Sequence, residues 1–140
     1  MPRKRPSVVR GEIPVRISRR RYPPVNGVSG ACQAAMRRLD RRRFWPEATA
    51  EAFWHWSALA HGTVRQITDR YAWNSCGVPE CGCDPAHFRG LLETALCALP
   101  KAYARELRPL VRRLDERILA KAKVIRADSP DDPWWLRRPP

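Results

Sequence analysis

Apolar residues recur along much of this chain at the three-and-four spacing of a helix with one buried face. Cys32, Ala35, Met36 and Leu39 make one such stripe, with Arg37, Arg38, Arg41 and Arg42 around the remainder. Ser29 is a suitable cap, and the spacing predicts a first helix from Ser29 to Arg43. Phe53, Trp56, Ala60, Val64, Ile67 and Tyr71 extend a second stripe, which predicts one helix from Pro46 to Trp73. Pro46 suits the first helical position. Gly62 interrupts this stripe at a cost of about 1 kcal/mol relative to Ala, but its phase survives, which favours one bent helix over two. Asp84-Pro85 is a start signal for a third helix, which carries Phe88, Leu91, Leu92, Ala95, Leu96 and Leu99. Tyr103, Leu107, Leu110, Val111, Leu114, Ile118 and Ile125 predict a fourth helix from Pro100 to Ile125, kinked at Pro109.

Outside these stripes the pattern changes. Five prolines in residues 1–28 exclude a long helix, and that stretch reads as an extended, solvated arm. Residues 126–140 form a Pro/Trp tail around Trp134-Trp135-Leu136. The expected architecture is therefore all-α. A roughly four-helix domain over 29–125 follows a basic arm over 1–28 and precedes the Trp-bearing tail over 126–140. The 140 residues suffice for one domain with a modest core, and no internal repeat is evident.

Charge adds a direction. The net charge is +13, and residues 1–43 alone contribute +11, while 44–100 are mildly acidic. The cations Arg3, Lys4, Arg5, Arg10, Arg16, Arg19, Arg20 and Arg21 lie on the arm, and Arg37, Arg38, Arg41 and Arg42 on the first helix. Such a balance favours a polyanionic partner, DNA or RNA, bound through its phosphates. High Arg, Ala and Pro usage also suits a GC-rich genome, which raises Arg content without any binding role. No apolar run reaches the ~20 residues of a membrane span, and the basic N-terminus lacks an apolar signal core. The expected compartment is the cytoplasm, where cysteines more often hold metal than form disulfides.

The densest chemistry is the Gly/Pro-rich turn from Asn74 to His87. Cys76, Cys81, Cys83 and His87 have the spacing C-x4-C-x-C-x3-H, a ligand set that can close a tetrahedral zinc site. Gly77 and Gly82 allow the backbone to wrap a small ion, and the start of the third helix favours nearby thiolates. Free or disulfide-forming thiols and an iron–sulfur cluster are the alternatives. His55, His61 and Cys32 are the substitutes for His87 as fourth ligand. Cys97 and Cys32, beside or on apolar stripes, read as buried structural thiols. Trp134 and Trp135 can dock a partner or fold back onto the helices, the commoner outcome.

No paired carboxylates, nucleophilic triad or phosphate loop is present, and Glu80 is the sole base near the cysteines. A metal-dependent enzyme is thus the third reading. First is a zinc-stabilised, nucleic-acid-associated accessory or regulatory protein, and second a protein-interaction module with an incidental charge.

Residues 95–140 carry a further likeness. Leu99-Pro100, Ala104-Arg105-Glu106-Leu107, Leu110-Val111, Leu114-Asp115 and Asp132-Pro133-Trp134-Trp135 together resemble the tails of small actinobacterial proteins that have a Cys-rich turn. The resemblance implies a cytoplasmic bacterial source and an organised tail, and brings no activity with it.

Protein purified without an affinity tag is expected to contain one zinc per chain, measured by elemental analysis. A folded, zinc-free protein with freely titratable thiols excludes the structural zinc.

Overall fold

The computed structural model describes residues 21–67, 85–121 and 133–136. Among them the chain is helical, without strands. Four helices carry the fold: α1 (Gly30–Arg43), α2 (Ala48–Ala60), α3 (Pro85–Ala98) and α4 (Lys101–Lys121). A further helical segment covers 64–67. A 3-10 turn (Trp134–Leu136) lies against α3.

The stripes meet in one core. Cys32, Met36 and Leu39 of α1, Ala52 and Trp56 of α2, Leu92 and Leu96 of α3, and Leu107, Val111 and Ile118 of α4 are all buried there. The α2–α3 interface is the most extensive. Small residues at Ala48, Ala52 and Ala60 let α2 approach its neighbours closely, and Trp56 fills the centre.

Helix ends are closed largely from a distance. Ser29 caps α1, its Oγ accepting from Cys32 N at 3.1 Å. The same hydroxyl donates to Glu106 Oε2 of α4 at 2.9 Å. The residue before α2, Glu47, has a left-handed backbone (φ 64°) and no side-chain cap bond. Asp40 of α1 supplies the missing acceptor: Oδ1 takes Thr49 N at 3.2 Å and Thr49 Oγ1 at 2.6 Å. This draws the start of α2 to Ala48 and leaves Pro46 in the preceding turn instead of at the first helical position. Burial pushes the Asp40 carboxyl above its usual pKa, partly offset by the bonds from Thr49.

The single helix expected over 46–73 is broken. α2 stops at Ala60, and His61 Nδ1 donates to Ser57 O at 2.8 Å. Thr63 and Gln66 then form a reciprocal capping box. Thr63 N donates to Gln66 Oε1 at 2.8 Å, and Gln66 N to Thr63 Oγ1 at 3.2 Å. Lys121 fixes the junction by donating to Ala60 O and Gly62 O at 3.0 and 2.8 Å. A Cβ on Gly62 would stand 3.0 Å from Gln66 Oε1 and 3.1 Å from Leu59 O, so the turn has little room for one. The break re-aims the stripe: Ile67 is buried, but Val64 is 48% exposed.

Two other expectations change. Cys97 is exposed, because one step beyond Leu96 is ~100° around the helix and leaves the buried arc. The end of the arm is packed, not solvated: Val25 is buried, Gln33 Nε2 donates to its carbonyl, and Tyr22 lies against Trp54. α4 runs through Pro109 as one helix; that proline faces solvent, as does Arg105, whose carbonyl loses its helical donor. The Asp84 cap, the continuation toward Ile125 and the arm before Arg21 lie outside the described residues.

One charged cluster ties three helices and the tail. Arg89 of α3 donates to Asp115 of α4 through both Nε and Nη2, each at 2.9 Å. Trp56 Nε1 of α2 donates to Asp115 Oδ1 at 2.9 Å. Arg89 Nη1 reaches Glu93 Oε2 at 2.9 Å, and its guanidinium covers the Trp135 ring at 4.0 Å. Burial alone would lower the Arg89 pKa, but the bonds to Asp115 and Glu93 outweigh it and raise it further.

Asp115→Ala is expected to destabilise the chain by about 3–5 kcal/mol in urea unfolding, since it strands the buried guanidinium. Arg89→Met with Asp115→Leu is expected to recover most of that loss. A loss below about 1 kcal/mol for Asp115→Ala contradicts a structural role for the cluster.

Candidate functional site

Three groups of residues carry the functional expectations, and each lies partly or wholly within the described residues. Cys76, Cys81 and Cys83 lie outside the described residues. His87 is described, as the third residue of α3; it is half-buried, with its ring 5.9 Å from Phe88 in an edge-on arrangement. His55 stacks on the same Phe88 at 4.3 Å and 16°, and its Nε2 is hydrogen-bonded to the Tyr22 hydroxyl at 3.3 Å. Two histidines therefore bracket Phe88 at the point where the chain enters α3. His61 closes the end of α2, and Cys32 is buried on α1 with Sγ 3.6 Å from Tyr103 O. Of the three substitute ligands, His55 is thus the one in the aromatic cluster that holds the start of α3. Among the described residues no group of three or more His, Cys, Asp or Glu is arranged to hold a metal ion.

The two described cysteines that are free differ in reactivity for a physical reason. Burial, reinforced by the nearby Glu106 carboxylate, pushes the Cys32 thiol up to about 11. Cys97 lies exposed on the outer side of α3.

The basic group is only partly described. Arg3, Lys4, Arg5, Arg10, Arg16, Arg19 and Arg20 lie outside the described residues, and Arg21 is exposed. Arg37, Arg38, Arg41 and Arg42 are exposed on α1, as is Arg43. The acid of α1, Asp40, is turned inward to Thr49. This helix therefore presents a cationic outer surface, densest at its C-terminal end, where the helix dipole also favours cations.

Trp134 and Trp135 are half-buried. Trp134 packs at 6.0 Å against Trp56, and Trp135 lies beneath the Arg89 guanidinium. The tail thus folds back onto the helices at its indoles. The Arg89–Asp115 cluster to which they attach does not stand out in the sequence. Its one signal there is a charged residue inside each of two apolar stripes: Arg89 beside Phe88 and Leu92, and Asp115 four residues after Val111.

Comparisons with protein-family models, curated proteins and solved structures find no match for this chain. No helix among the described residues is long and apolar enough to cross a membrane.

Alkylation of the folded protein at neutral pH, read by peptide mass mapping, is expected to label Cys97 rapidly and Cys32 only after unfolding. Equal labelling of both contradicts the packing of α1 on α4.

Proposed function

We propose that this chain is a small nucleic-acid-associated accessory or regulatory protein that engages phosphate backbone through its basic residues. The observation that carries this reading is the sidedness of α1. All five of its arginines, Arg37, Arg38, Arg41, Arg42 and Arg43, are exposed, while Asp40 is consumed in the interior. A solvated helix of a chain with incidental charge commonly places acids among its surface cations. Here no exposed acid on α1 offsets them. The arm cations from Arg3 to Arg21 continue the same signal in the sequence.

In this reading the Cys76, Cys81, Cys83 and His87 turn holds a structural zinc, which fixes the entry to α3 and performs no chemistry. Packing of Trp134 and Trp135 on the core favours nucleic-acid association over docking of a protein through the tail.

Salt-titrated anisotropy with duplex DNA, single-stranded DNA and RNA tests the proposal. Roughly micromolar binding at low salt is expected, with log affinity falling by about 0.9 per phosphate neutralised for each decade of salt. Neutralising Arg37, Arg38, Arg41 and Arg42 to Gln is expected to weaken binding and flatten that slope. Absence of binding to all three at low salt overturns the proposal.

A further inference from the structure

α4 carries a second cationic surface, apart from the arm and α1. Lys101, Arg105, Arg108 and Arg112 recur at i, i+4, i+7 and i+11, which confines them to an arc of about 60° beside the buried stripe. All four are exposed, and Arg113 and Arg117 are exposed further round the helix. None of the six side chains has a hydrogen-bond or ion-pair partner among the described residues. The acids of α4 are largely turned away: Asp115 is bound to Arg89 and Trp56, and Glu106 to Ser29. Glu116 is exposed and lies one turn beyond Arg112, so it bounds the row without interrupting it. Packing of α4 on all three other helices holds the row at fixed pitch.

From this geometry we infer that α4 bridges the major groove of double-stranded DNA, touching backbone phosphates on both edges without reading sequence. The inference rests on the nucleic-acid reading above and names its substrate. Lys101 and Arg112 are about 16 Å apart along the helix axis, enough to span a B-form major groove of about 12 Å. The narrow, deep major groove of A-form RNA does not offer those two edges to a helix. The row contains no aromatic side chain to stack on unpaired bases, which disfavours single strands. α4 also lacks Asn and Gln, the side chains that pair with adenine, while its arginines can pair with guanine as well as phosphate, so unequal weakening across DNA sequences when these arginines are replaced overturns the backbone clamp.

The test uses the full chain and the variant Arg105→Gln, Arg108→Gln, Arg112→Gln, whose exposed positions leave the core intact; unchanged helicity and melting temperature verify this. Binding is measured against random-sequence duplexes of DNA and RNA and against single-stranded DNA, across a salt series. The wild type is expected to prefer duplex DNA. The variant is expected to bind every DNA duplex more weakly by about the same factor, with its salt slope reduced by about 3, near one for each phosphate no longer neutralised. Wild-type binding with unchanged slope and affinity in the variant overturns the role of α4 and leaves the broader reading standing. Tighter binding to single strands or to duplex RNA overturns the groove-bridging geometry. Failure of the wild type to bind any nucleic acid overturns both.

Discussion

The buried ion pair between Arg89 and Asp115 is the constraint on which the rest of this small bundle depends. A guanidinium and a carboxylate taken out of water each lose several kcal/mol of hydration, and only near-ideal geometry compensates. Here the pair is bidentate, the carboxylate also accepts from Trp56, and the guanidinium has further partners in Glu93 and the Trp135 ring. Each of those groups comes from a different element except Arg89 and Glu93, which share α3. The cluster thus sets how α2, α3, α4 and the tail meet, a task that apolar packing alone performs with less directional precision.

The same division of labour recurs at the helix ends. Asp40 caps α2 from α1, Glu106 holds the α1 cap from α4, and Lys121 closes the end of α2 from α4. These bonds consume acids in the interior or at junctions. What is left on the outer sides of α1 and α4 is predominantly cationic. The outward positive charge is therefore a consequence of how the bundle is tied together as well as of composition. A polyanion approaching these helices would meet few competing carboxylates.

The cysteines and the basic residues occupy different parts of the sequence, and two of the candidate histidine ligands belong to the described core packing. His55 of α2 stacks on Phe88 of α3, and His87 meets the same ring edge-on, so this aromatic group joins α2 to the start of α3. That arrangement suits a fastening between helices.

Much of the bundle was legible in the sequence, because a three-and-four apolar period has one simple solution in a chain of this size. The stripes through Cys32 to Leu39, Phe88 to Leu99 and Tyr103 to Ile118 forecast α1, α3 and α4, and the Ser29 cap was local enough to read. The break after Ala60 was also encoded, in Thr63 and Gln66, but a continuous stripe masked it. Of the candidate site, the identity and spacing of the candidate cysteine and histidine ligands and of the cationic residues came from sequence, as did the choice of indoles in the tail. Tertiary structure alone decided which charges face inward, because Arg89 with Asp115, and Asp40 with Thr49, are brought together by helices that meet only in the folded chain. It also decided that Cys97 faces solvent and that the indoles rest on Arg89 and Trp56, since exposure depends on which arc of each helix its neighbours cover.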